Sequence, residues 1–185
     1  LLTGGSFILA SCNDFLDREP LDSVTPDNFF FTENDLAAYA VKHYNFTTHE
    51  GFNAGIWKND NATDNQAATD YDKKWIPGQW KVPEAYDNPA SNDPWYFSAI
   101  REANYFLETV VPRFEKGEIE GSETNIKHYI GEMYFLRAKN YLSKLETFGD
   151  FPIIKNTLPD ESESLIQASK RAPRYKVAHF ILEDL

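Results

Sequence analysis

The segment from Ser122 to Phe148 constrains the fold most, because apolar residues occupy most of the circumference of the helix it predicts. Ile126, Ile130, Met133, Tyr141 and Leu145 share one face with Arg137, and Tyr129, Phe135 and Leu136 lie beside them. Residues three and four apart fall on the same side of a helix. A helix apolar over so wide an arc must be covered on two sides, as happens where helices stack in layers. The chain is therefore predicted to be mainly α, with this helix inside. Ser122 or Thr124 offers its cap, and Gly149-Asp150-Phe151-Pro152 closes it.

Three further helices follow from the same period. Thr32 has the features of an N-cap, with Asp35 three residues on in capping-box style. Leu36, Ala37, Ala40, Val41 and Tyr44 then mark a helix over 33–47. Ser91-Asn92-Asp93-Pro94 signals a second start, and Trp95, Ala99, Tyr105 or Phe106, and Val110 carry that helix from Pro94 to Val111. Pro112 is expected to stop it, and Gly117 and Gly121 to sit in the turn beyond. Residues 156–170 read as a polar linker. From Arg174 another helix begins, bearing Tyr175, Val177, Ala178, Phe180, Ile181, Leu182 and Leu185, and its uncovered apolar face implies an incomplete domain. Glu132 and Arg137 need partners on so apolar a helix, and ion pairs through Arg101, Glu102 or Glu108 are expected.

The first eleven residues are of another kind. Leu1 to Ser11 carry no charge and include Leu1, Leu2, Phe7, Ile8, Leu9 and Ala10, which is too short to span a bilayer but suits part of a signal peptide. Leu9-Ala10-Ser11-Cys12 has the form of a lipobox, in which the cysteine thiol is lipidated and becomes the new N-terminus. Several acyl chains, at roughly 0.8 kcal/mol per buried CH₂, hold a protein stably on a membrane. The alternative is an ordinary buried cysteine. This reading divides the chain into a partial signal peptide over 1–11, a tether over 12–31 kept extended by Pro20 and Pro26, and a helical domain over 32–185.

Residues 48–94 form a long irregular stretch in which Trp57, Tyr71, Trp75, Trp80 and Tyr86 punctuate a background of Gly, Pro, Asn and Asp. Loops of this length in a compact domain are usually functional or disordered, and the aromatics argue against disorder. A pyranose offers an apolar C–H face ringed by hydroxyls, so Trp and Tyr can stack on it while amides and carboxylates bind its rim. Trp75, Trp80, Tyr71, Tyr86 and Asn65 are the candidate ligand residues, with Gln66, Asp70, Asp72 and Gln79 nearby. The competing account is that the rings pin the loop to the scaffold. Trp95 is expected in the second helix as a core residue. Asp60-Asn61 and Asp64-Asn65 could offer oxygens to Ca²⁺, but they lack the Gly and Glu of an EF-hand loop, and local Asx turns account for them.

A net charge of -11 argues against nucleic acid or anionic surfaces as partners. The single cysteine excludes an intramolecular disulfide and a Cys-based metal site. The four histidines lack metal-ligand spacing, and no P-loop, dinucleotide fingerprint or nucleophile elbow is present. Binding without catalysis, cofactor or metal is the reading that remains.

Taken in order, Cys12-Asn13-Asp14-Phe15-Leu16-Asp17, Trp95, Ile100-Arg101, Ala103-Asn104, Phe106-Leu107-Glu108, Ile130 to Ala138, Phe148 to Pro152, Arg171 and Ile181 to Leu185 resemble the N-terminal part of SusD/RagB-type lipoproteins. The resemblance implies tetratricopeptide-like helix pairs with a ligand site on long irregular aromatic-rich loops. It also implies a lipid-anchored protein of the bacterial outer membrane that binds oligosaccharides or other nutrients and serves a SusC-type TonB-dependent transporter. Asp14, Asp17 and Glu19 resemble the acidic surface-export signal of such lipoproteins. Members of this family are usually more than twice as long, so the part that completes the ligand site is absent. The alternative function is a lipid-anchored helical scaffold that contacts a partner protein without a sugar site.

Overall fold

The computed structural model describes residues 29–44, 76–79, 81–83 and 93–185. Its elements in chain order are α1 (Glu33–Val41), α2 (Ser98–Lys116), α3 (Glu123–Phe148), α4 (Ser162–Ala168) and α5 (Arg174–Glu183). Among the described residues the architecture is helical, as the sequence pattern predicts.

The capping box forms as expected. Thr32 Oγ1 accepts from the Asp35 amide at 3.2 Å, and Asp35 Oδ2 accepts from the amides of Thr32 at 3.0 Å and Phe31 at 3.1 Å. Helix α1 ends at Val41, short of the expected 47, where bonds from His43 to Ala40 and Tyr44 to Val41 tighten its last turn. Residues 45–47 lie outside the described part.

Helix α2 departs from the expectation at both ends. The Asp93 carboxylate bonds the Trp95 amide at 2.8 Å, an Asx turn that delays the helix to Ser98, so Trp95 precedes it. Pro112 lies inside the helix and does not stop it. The turn after it is held by tertiary contacts: Arg113 donates to the Phe29 carbonyl at 2.8 Å and covers the Phe31 ring, and Phe114 packs on the core. The stop is Gly117, at φ 71°, with Gly117 N–H on the Phe114 carbonyl and Glu118 N–H on that of Arg113. That is a Schellman ending.

Helices α2 and α3 run antiparallel, since Asn104 meets Arg137 while Lys144 reaches back to Tyr96. Their turn is pinned by the segment before α1: Glu33 N–H donates to the Glu120 carbonyl, and Glu120 N–H to that of Phe31, both at 2.8 Å. Glu33 Oε2 then accepts from the Ser122 amide at 2.7 Å. The expected Ser122 side-chain cap is not made, and the carboxylate from α1 stands at this N-terminus instead.

Helix α3 is the spine shared by two cores. Its first half, through Ile126, Met133 and Leu136, packs with Phe30, Leu36, Tyr39, Phe106 and Val110. Its second half, through Ala138, Tyr141 and Phe148, packs with Phe151, Val177, Phe180 and Ile181. This is the two-sided covering its composition demands. Phe30 is fully buried and has φ 71°, a conformation that costs an L-residue roughly 1–2 kcal/mol. Burying its ring edge-on against Phe29, Tyr39 and Phe106 offsets that strain. The stretch read as a polar linker holds the short helix α4, which buries none of its residues and so lacks the apolar period that would announce it.

Arg137 makes a buried ion pair, as expected, but with Asp184 just past α5 and not with α2. From α2 it meets Asn104 Oδ1 at 2.9 Å. Glu102 instead faces His43 and Lys42, Glu108 holds the amide and hydroxyl of Thr157, and Glu132 takes the Tyr44 hydroxyl at 2.5 Å and His128 at 2.8 Å. The pKa of the Tyr44 hydroxyl is pushed up to about 12 by its hydrogen bond to Glu132.

Candidate functional site

Trp75, Trp80, Tyr71, Tyr86 and Asn65 lie outside the described residues, as do Cys12 and the Asp60 to Asn65 acidic cluster. What is described is how their segment is attached. Residues 76–79 form a turn in which Gln79 N–H donates to the Ile76 carbonyl at 3.0 Å, with Gly78 at φ 80°. Trp75 and Trp80 are its neighbours in sequence.

A few residues on, Trp95 Nε1 donates to the Pro83 carbonyl at 2.8 Å. The indole is fixed in turn by its other contacts. Its centroid lies 4.2 Å from the Phe148 ring and 5.8 Å from Phe151, with the Arg171 guanidinium 5.1 Å away over the ring. Phe97 stacks on Phe151 at 5.5 Å, nearly parallel. Lys144 donates to the carbonyls of Pro94 and Tyr96, the residues on either side of Trp95 in the chain, and burial holds its pKa below the usual range. Trp95 is thus half-buried against the second core, as expected, and it also anchors the 81–83 segment.

Beside the anchor is a cleft of about 470 Å³ between Val82 and the ends of α3 and α5. Tyr175 and Arg174 line it, with Leu145, Glu146 and Ala178. Tyr175 is 62% exposed. An aromatic face beside a guanidinium and a carboxylate can hold a C–H surface and its hydroxyls. Sequence reasoning counts Tyr175 with the apolar face of its helix. The signal that sets it apart is phase: Val177, Phe180 and Ile181 are the inward residues of α5.

A family model described as "Starch-binding associating with outer membrane" matches residues 14–185. SusD-like protein P2 of Formosa agariphila is 25% identical over 183 residues, which cover 96% of this chain and 34% of that protein. The chain thus spans about a third of the length of the curated relative it matches. No solved structure matches it. A helical scaffold that anchors an aromatic-rich segment, and a family match running from residue 14 to Leu185, lead to one conclusion: the chain belongs to the SusD-like family of starch-binding proteins that associate with the outer membrane.

Proposed function

We propose that this protein captures oligosaccharides at the cell surface and delivers them to a SusC-type TonB-dependent transporter, held on the outer membrane by lipidated Cys12. The observation that carries the reading is the family match over residues 14–185, a family of binding proteins and not of enzymes. The geometry supports it. The Trp95–Pro83 bond ties residues 81–83 of the aromatic segment beside the packed junction of α3 and α5, and binding residues on loops need such a base. Trp75, Trp80, Tyr71 and Tyr86 supply the stacking faces, Asn65 a hydroxyl partner, and Tyr175 with Arg174 extends the surface along the cleft.

The test is a titration of intrinsic tryptophan fluorescence in the protein without residues 1–12, against a panel of oligosaccharides that includes maltooligosaccharides. A saturable, sugar-selective change is expected, weakened at least about tenfold, or about 1.4 kcal/mol, in W75A or W80A. Parental binding in both variants would overturn the assignment of these residues.

One observation favours a second reading, a lipid-anchored scaffold for a partner protein. Phe135 and Leu142 lie seven residues apart on α3 and are 47% and 45% exposed. That reading expects no sugar response, together with co-purification of an outer-membrane barrel that is lost in F135E/L142E.

A further inference from the structure

A second cavity, of about 210 Å³, lies between α2 and the chain that runs from Ile154 to α4, and it shares no lining residue with the cleft at Val82. Phe97, Arg101 and Asn104, spaced four and three apart and so on one side of α2, form one wall. Ile154, Asn156 and Leu158 form the other, and Leu165 lines it from α4.

The two walls are fixed to each other. Asn104 Nδ2 donates to the carbonyls of Ile154 at 2.9 Å and Asn156 at 3.3 Å, and Glu108, one turn further along α2, accepts from the Thr157 amide at 2.8 Å. The Ile154 amide donates to the Tyr141 hydroxyl at 2.8 Å, which ties the same stretch to α3. Helix α4 is attached differently. It has seven residues, buries none of them and packs directly on no other described helix. Helices shorter than about 12 residues are marginal without a tertiary partner, and Leu165, 44% exposed, is the α4 side chain that lines this pocket. Helix α4 is thus a lid seated over an apolar gap.

What the gap accepts follows from its lining. Phe97, Ile154, Leu158 and Leu165 are apolar. Asn104 is committed, since its Oδ1 accepts from Arg137 and its Nδ2 serves the two carbonyls. No carboxylate lines the pocket, and Arg101, its one ionic residue, is exposed and makes no side-chain hydrogen bond or ion pair among the described residues. An uncommitted guanidinium beside a hydrocarbon slot selects a carboxylate with an apolar body, because the planar fork matches the two oxygens and the slot takes the rest. A cation meets only the like charge, and a polyol would bury hydroxyls against side chains that cannot bond them. An apolar cavity of about 150 Å³ takes a benzene ring, so this one admits a single ring or a chain of about six carbons.

We propose that this cavity is a binding site for a small monocarboxylate with an aliphatic or aryl body, closed by α4. The body lies among Phe97, Leu158 and Leu165, and the carboxylate sits at the mouth on the Arg101 guanidinium. The site uses no residue of the aromatic segment and stands or falls apart from the oligosaccharide reading.

The test is methyl NMR on the intact protein, with the Leu158 and Leu165 signals assigned by their loss in Leu158→Met and Leu165→Met. Hexanoate and phenylacetate are titrated beside hexanol, which has the body without the charge, acetate, which has the charge without the body, and hexylammonium. At least one of the two larger acids is expected to shift both leucine signals saturably and more tightly than hexanol, while acetate and hexylammonium do not. Arg101→Gln, at an exposed position, should weaken that acid about threefold to tenfold and leave hexanol unchanged. Leu165→Ser should weaken acid and alcohol alike, read at Leu158. Bound acid should also slow amide exchange at Leu165 and Ser169, whose N–H groups donate to the carbonyls of Glu161 and Leu165. The W75A/W80A double variant should keep the whole response, which separates this site from the one on the aromatic segment. Far-UV circular dichroism verifies that each variant is folded. The proposal is overturned if neither acid moves these signals, if hexanol binds as tightly as the acids, or if folded Arg101→Gln keeps the parental affinity for them. Exchange in α4 that bound acid leaves unchanged overturns the lid.

Discussion

Arg137 and Asp184 form a two-pronged ion pair, with Nε to Oδ2 and Nη2 to Oδ1 both at 2.7 Å, and their side chains are only 7% and 4% exposed. The pair joins the middle of the spine helix to the end of α5. Asn104 completes it, passing its own amide protons to the carbonyls of Ile154 and Asn156. Three segments far apart in sequence are thereby held by one guanidinium.

Removing either charge alone leaves the other buried without a partner. R137M or D184A should each destabilise the protein by roughly 3–5 kcal/mol, while R137M/D184L should recover much of that loss, because an apolar pair needs no compensation. Chemical denaturation of the three variants checks this, and an additive double variant would refute it.

Two glycines in the turn between α2 and α3 should differ in cost. Gly117 has φ 71° and open space where a Cβ would stand, so Gly117→Ala should cost roughly 1–2 kcal/mol from backbone strain alone. At Gly121, φ 134°, a Cβ would fall 2.6 Å from Glu33 Oε2, the atom that holds the Ser122 amide. Gly121→Ala should therefore cost more than Gly117→Ala and disturb the α1 contact, readable as faster amide exchange at Ser122.

Trp95→Phe keeps an aromatic ring against Phe148 and Phe151 but cannot bond the Pro83 carbonyl. The expected loss of stability is about 1 kcal/mol, the usual worth of one such bond. The sharper readout is local: trypsin should cut after Lys81 faster in the variant, and an unchanged cleavage rate would remove Trp95 from its anchoring role.

Stability should fall on acidification through His43. Burial lowers its pKa from the usual 6.5, so the unfolded chain binds the proton more readily than the native one. The native state therefore loses stability as pH drops below about 6.5 and on toward the depressed folded value. Melting temperatures between about pH 7.5 and 5 should decline less steeply in His43→Phe than in the parent, and equal slopes would contradict this.

Much of the scaffold is legible in the residues. Thr32 and Asp35 announce their capping box because both partners lie three residues apart, and the periods of 33–41 and 123–148 mark helices because the side chains that cover them need only be apolar. Pro112 and Trp95 depart from the expectation for different reasons. Distant groups, Phe29 and Phe31, hold the turn beyond Pro112, whereas the Asx turn at Asp93 delays the helix past Trp95, whose ring then packs on Phe148 and Phe151. The candidate ligand residues rest on composition, and the described structure adds the anchor beside them.

That α3 is covered on two sides and that Arg137 is paired within the protein follow from the sequence, since hydrophobic period and the cost of a lone buried charge are local properties. That the partner is Asp184, 47 residues on, and that His43 Nε2 is buried with no hydrogen-bond partner among the described residues, are visible only in the folded chain. Pairing at that range depends on how helices cross and which side chains leave space, and no short window of residues encodes it.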